Sequence, residues 1–504
     1  MNPTSRRTFL SSATATGAML SLGDLAFLGR LPEVSAADAK LNPKLVALRP
    51  EIEPLVRLLE DSPRERLLEE AAARVKRGTT YNELLTAVML AGVRNIQPRP
   101  VGFKFHAVLV INSAHLAAQA ASDADRWLPL FWSLDQFKVS QARNKAEGDW
   151  RMGPVEESKV PSAHKARAAF AEAMDNWDTS AADAAVAGLA RGAGANEIFE
   201  LFCRYGARDF RDIGHKAIYV ANSWRCLNTI GWQHAEPVLR SLAFALLDHE
   251  QGNPAERDAD ADRPGRRNAE LVKSIRADWL AGKPDTAATT ELLAAFRQCS
   301  DAEAAQKVVE ALNRGVAPSS VWDAVLLGAS ELLMRAPAIR SLHSVTTANA
   351  LHYAFTASAN DETRRFLLLQ AASFLPLFRG DAAKNRGVDI DTFEAAPLKS
   401  PGAGAVDEIC ADVGGDKLGA SRKILTWMKA NPDPRELMAA ARRLIFLKGR
   451  DSHDYKFSSA ALEDFFHCSP AWRNRFLAAS VFWLKGSGAP DNDLVKRTRA
   501  ALGA

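Results

Sequence analysis

The sequence predicts an all-α fold, an array of about four divergent helical-bundle repeat units. Three observations predict it. Ala, Leu, Glu and Arg recur at helical spacing, and strand-like alternation is scarce. An ordered set of marks (Arg-Gly, Gly, His, Asn) returns along the chain. Pro-, Gly- and charge-rich stretches separate successive sets.

The first set runs from ARVKRGTTYNELLTAVMLAGVRN to FKFHAVLVINSAHLA. The second runs from AGLARGAGANEIFELFCRYGARD to IGHKAIYVANSWRCL, and the third from EALNRGVAPSSVWDAVLLGASEL to RSLHSVTTANALHYA. Each opens with a helix ending at Arg77-Gly78, Arg191-Gly192 or Arg314-Gly315. Glycine suits that place because a left-handed C-cap has no room for a Cβ. Thr79 or Thr80, Asn196, and Ser319 or Ser320 then cap a second helix, with Glu83 at the capping-box position behind Thr80. The second helix ends near Gly92, Gly206 or Gly328. A third helix carries His106 and Asn112, His215 and Asn222, or His343 and Asn349, and another amphipathic stretch follows. The C-terminal part is a degraded fourth copy that retains His453 and has Ser459 near the asparagine position. The units span 38–150, 163–250, 268–400 and 418–504. They are too long for a short solenoid repeat, so each is expected to be a small bundle.

Residues 1–36 read as an export signal. Arg6-Arg7, a weakly apolar run and a small-residue end at Ala36 follow in the order of a twin-arginine signal. The protein is therefore expected to be periplasmic or otherwise exported, with the twin-arginine translocase as a partner. No later run is long and apolar enough for an integral membrane span. A net charge of +4 without a basic block argues against nucleic acid as a partner. Five scattered cysteines without a CxxC pair argue against a zinc ribbon, an iron–sulfur cluster or a dense disulfide framework. Walker, GxSxG and HExxH motifs are absent.

Chemistry is concentrated in the histidines. His106 and His115 bracket Asn112, and His343 and His352 bracket Asn349, both as H-x5-N-x2-H. In the second unit Arg225 takes the place of the later histidine. At about 100° per residue, nine residues carry the second imidazole to the opposite face of a straight helix. A cluster must therefore form between units, one histidine per helix. Converging neutral imidazoles ligate iron, copper or zinc, and carboxylates such as Asp212 can orient them. The candidate catalytic residues are His106, His215 and His343. The candidate metal ligands are His106, His115, His215, His343 and His352. The candidate substrate-binding residues are Asn112, Asn222, Arg225 and Asn349. The same side chains could instead only satisfy buried hydrogen bonds in packed helices.

FHAVLVINSAHLAAQ and LHSVTTANALHYAF resemble pieces of the questin oxidase-like family. That resemblance implies a helical oxidoreductase of monooxygenase type acting on an aromatic ketone, with His106, His343 and His215 as the carried-over positions. It also implies a reduced nicotinamide cofactor, which an exported protein does not normally meet. A bound transition metal or an external electron donor fits that compartment better. The segment RGTTYNELLTAVMLAG separately resembles the helix-turn-helix of carboxymuconolactone decarboxylase-like proteins, but it lacks their Cys-x-x-Cys, so that activity is not implied. Two expectations follow. One is an exported, metal-assisted oxidoreductase acting on an aromatic or similar small organic substrate. The other is a non-catalytic helical-repeat binding or scaffold protein of the periplasm. Convergence of the histidines in space separates them.

Overall fold

A computed structural model describes residues 43–379 and 387–503, so the export signal expected over 1–36 lies outside the described residues. Helices dominate throughout. No strand occurs among the described residues, only an isolated bridge between Lys283 and Val316. No described helix is long and apolar enough to cross a membrane.

The helices that bear the recurring histidines stand at the centre. Helix α1 (Tyr81–Asn95) precedes α2 (His106–Leu109) and α3 (Ile111–Gln119). Then α4 (Ala195–Ala207) precedes α5 (His215–Ile230), α6 (Pro318–Arg335) precedes α7 (Ile339–Ala357), and α8 (Arg435–Lys448) precedes α9 (Ser452–Asp464). Helix α3 packs on α5, α5 on α7, α7 on α9, and α9 back on α3, which closes a ring of four. Helices α1, α4, α6 and α8 each pack on the histidine helix that follows them. So do the helices that come after, Leu128–Ala146, Ala235–Leu246, Asp361–Arg379 and Arg473–Ser480.

The four ring helices run parallel. The histidines near the starts of α2, α5, α7 and α9 meet at one level, and residues further along meet at the next. Asn112 Nδ2 donates to Asn222 Oδ1 at 3.3 Å, and Ser459 Oγ donates to the Ser113 carbonyl at 2.8 Å. A helix covered on all sides loses the single apolar stripe of a surface helix. Residues 341–352 of α7 are all buried, serines, threonines and histidines included. Buried polar groups of this kind must find partners inside the protein.

Local signals hold in part. Thr80 and Glu83 form the expected capping box at the start of α1, and Gly78 and Gly315 take the left-handed caps at φ 106° and 92°. Helices α4 and α6, however, are capped by Gly194 and Ala317, and Asn196, Ser319 and Ser320 lie inside them. Helices α1 and α6 also run past Gly92 and Gly328, to Asn95 and Arg335. A Cβ at Gly92 would come within 2.8 Å of a Val108 methyl, and one at Gly206 within 2.5 Å of a Val220 methyl. Gly92 and Gly206 mark where a histidine helix crosses closely, whereas Gly328 faces Leu375; only α4 ends beside its glycine.

Candidate metal centre

The turns that open the ring helices aim four imidazoles at one point. Two of these turns use the same device. Gly102 and Phe103 (φ 132° and 46°) precede His106, and Asp212, Ile213 and Gly214 (φ 50°, 47° and 82°) precede His215. A left-handed non-glycine residue costs about 1–3 kcal/mol and survives only where its surroundings hold it. Here it turns the carbonyl three residues before the histidine onto the ring. His106 Nδ1 donates to the Phe103 carbonyl at 3.0 Å, and His215 Nδ1 donates to the Asp212 carbonyl at 2.5 Å. It is thus the backbone of Asp212, not its carboxylate, that orients His215. On α7, His343 Nδ1 donates to the Ile339 carbonyl at 2.6 Å, and on α9, His453 Nδ1 donates to the Asp451 carboxylate.

Each of the four rings therefore carries its proton on Nδ1 and turns an Nε2 lone pair inward. His215 Nε2 lies 2.9 Å from His106 Nε2 and 2.8 Å from His343 Nε2. His453 Nε2 is buried and has no hydrogen-bond partner among the described residues. Its ring centroid is 4.5 Å from that of His106 and 5.0 Å from that of His343. One ligand atom from each of the four lies within 4.8 Å of all the others. Lone pairs facing at such distances repel unless a proton or a metal cation stands between them. Burial, followed by the nearby Lys456 ammonium, holds His106, His215 and His343 well below the usual imidazole range. An extra proton is therefore disfavoured, and the convergence fits a metal ion, which bonds to several nitrogens at once. Nδ1 bonded to a carbonyl or carboxylate is also the arrangement that orients metal-bound histidine. His106 is the partly exposed member, next to Phe103, whose exposure is 64%.

Lys456, one turn beyond His453 on α9, is fully buried, and its Nζ has no hydrogen-bond partner among the described residues. Burial pushes this ammonium down to about 7. A neutral amine beside a cation avoids like-charge repulsion.

The structure brings His106, His215 and His343 together and adds His453, which the sequence reading leaves out of the ligand set. It places His115 and His352 elsewhere. His115 Nδ1 faces the Tyr81 hydroxyl at 3.4 Å, and His352 lies against His467 with ring centroids 4.4 Å apart. The asparagines and Arg225 are engaged between helices. Asn222 Nδ2 donates to the Leu109 carbonyl at 2.9 Å, and Asn349 Nδ2 donates to Glu463 at 2.8 Å and to Asp464 at 2.9 Å. Arg225 donates to Glu463 at 2.8 Å. One sequence signal does reach His453: Ser459 stands as far behind it as Asn112 does behind His106 and Asn349 behind His343.

Asp212 gives a pH-dependent test of the strained turn. Burial, then the Asp248 carboxylate, raises its carboxyl to about 7. The folded chain keeps this proton at pH values where the unfolded chain, with a carboxyl near about 3.9, has lost it. Stability from this group is thus full below about pH 4, falls as pH rises to about 7, and stays low above that. Asp212→Asn removes the titration and suits a left-handed backbone. Calorimetry is expected to show a larger rise in Tm for Asp212→Asn at pH 8 than at pH 5. An equal rise at both would assign the gain to something other than ionisation.

Comparison of the chain with known protein families, with curated proteins and with solved structures finds no match.

Proposed function

We propose that this chain is an exported oxidoreductase whose centre is a transition ion held by His106, His215, His343 and His453. One observation carries the reading: four Nε2 lone pairs converge while all four Nδ1 atoms are occupied by oxygen acceptors. Imidazole nitrogens suit zinc, copper, iron and nickel. With bonds of about 2.0–2.1 Å, two ligands at right angles stand about 2.9 Å apart, whereas a tetrahedral pair stands about 3.3 Å apart. The separations of 2.9 and 2.8 Å around His215 are close to both values, so one ion can be shared by these nitrogens. Copper or iron held here would supply one-electron chemistry. The protein supplies a dry, orienting cage, with His106 at its exposed edge where an external electron donor or a small organic substrate can approach. The resemblance to questin oxidase-like proteins supports a monooxygenase-type reaction on an aromatic substrate. The twin-arginine pattern of residues 1–36 supports export with the ion already inserted.

A second reading rests on a different aspect of the same site. Each of the four proposed units contributes one ligand, so an ion would tie them together as a keystone, as structural four-ligand sites do. The protein would then be a scaffold. Metal analysis, optical spectra and electron paramagnetic resonance of natively exported protein, before and after reductant and oxygen, separate the two. Copper or iron that cycles between oxidation states is the expected result. Zinc alone, with a raised Tm and no redox response, would favour the keystone. A chain that takes up no copper, iron or zinc would overturn both.

A further inference from the structure

At the far end of the same helices lies another constellation that the four-histidine centre does not use. His352 near the end of α7, Asp464 at the end of α9 and the exposed His467 just beyond it each offer one ligand atom, all within 4.8 Å of one another. His352 is 9 residues beyond His343 on the 19-residue helix α7, about 13.5 Å along it at 1.5 Å per residue. The two groups are therefore separate sites.

We propose that His352, Asp464 and His467 form a second metal site, taking a divalent first-row ion of the iron(II) type in a 2-His-1-carboxylate arrangement. Two buried atoms point to a ligand. Asp464 is 0% exposed, yet its Oδ2 has no hydrogen-bond partner among the described residues. His352 is 8% exposed, and its Nδ1 is likewise without a partner among them. Leaving a buried carboxylate oxygen and a buried ring nitrogen unpaired side by side is costly. One cation satisfies both.

The surroundings orient these groups. Asn349 Nδ2 donates to Asp464 Oδ1 at 2.9 Å, which fixes the plane of the carboxyl, and His467 Nδ1 lies 3.0 Å from the same oxygen, where its unprotonated form turns a lone pair toward an ion beside Asp464. The neighbouring Glu463 carboxylate is paired with Arg225 at 2.8 Å, so besides His467 the Asp464 carboxylate has no cationic partner there, and an ion would take the place of the His467 proton. The Trp322 indole stands edge-on to the His352 ring at 4.8 Å and limits its rotation. Two imidazoles and one carboxylate on one side of an ion leave other positions open, the pattern of non-haem iron(II) sites rather than of closed structural zinc. The exposure of His467 gives the ion a path from solvent, so this site should load and exchange faster than the four-histidine cage.

The test uses the full chain, reconstituted anaerobically with iron(II) and, in parallel, with cobalt(II) as a spectroscopic probe. Metal analysis is expected to find two ions per wild-type chain. Asp464→Asn and His467→Ala are each expected to leave one, with circular dichroism unchanged; the exposed His467 makes its variant safe for the fold. His215→Ala is expected to lose the other ion and to keep this one. Wild-type stoichiometry in both Asp464→Asn and His467→Ala, or a wild-type chain whose every bound ion is lost in His215→Ala, overturns the second site. Neither outcome touches the four-histidine reading.

Discussion

His215→Ala is expected to weaken binding of the ion held by the four imidazoles by at least about 100-fold. Loss of a partner that merely orients a ligand already costs about 10–100-fold, and here the ligand itself is removed. His215 is also the hub of the cluster, since its Nε2 faces both His106 and His343. Competition against a chelator of known affinity measures the change, and circular dichroism checks the helix content. His115→Ala provides the contrast. His115 meets Tyr81 and has no place in the cluster, so its variant should keep the ion. Equal losses in the two variants would mean that metal binding reflects the general integrity of the fold.

Gly214→Ala is expected to cost about 3 kcal/mol or more of stability and to lower metal affinity with it. The added Cβ would lie 2.1 Å from Thr347 Oγ1 and 2.7 Å from its Cγ2, on a backbone held at φ +82°. Overpacking of this kind costs about 1–3 kcal/mol, and the left-handed conformation adds a comparable amount for a residue with a side chain. Gly214 directly precedes His215, so the distortion passes into the imidazole. Thr347→Ala in the same chain removes the two closest atoms but leaves the backbone cost. The double variant should therefore recover roughly half of the lost stability in chemical denaturation. A loss below about 1 kcal/mol for Gly214→Ala alone would show that the turn yields more easily than its packing implies.

The local elements were legible in the sequence because they are local. The Thr80–Glu83 capping box and the Arg-Gly caps at Gly78 and Gly315 depend on a few neighbouring residues. So does the half-turn offset that separates His106 from His115 and His343 from His352. What was not legible is set over long distances. Closure of four helices into a ring decides that His453 joins the other three, and within α9 only the spacing of His453 and Ser459 points to it. The turns before His106 and His215 depend on φ values that only tertiary packing enforces. Asn112, Asn222, Arg225 and Asn349 read as residues free to meet a substrate. In the structure their polar ends are occupied by neighbouring ring helices, because helices buried all round must satisfy their polar groups among themselves.

The parallel ring has an electrostatic consequence. Each helix start carries roughly half a positive charge from its aligned peptide dipoles. The starts of α5, α7 and α9 lie beside the point where the imidazoles meet, together about one and a half positive charges against the single Asp451 carboxylate on His453, and the ligands are uncharged nitrogens. Added positive charge is disfavoured in that field. An ion held there is accordingly biased toward its lower oxidation state, or toward accepting an anion as an extra ligand. A redox titration should place its midpoint potential above that of the same ion bound by free imidazoles in water.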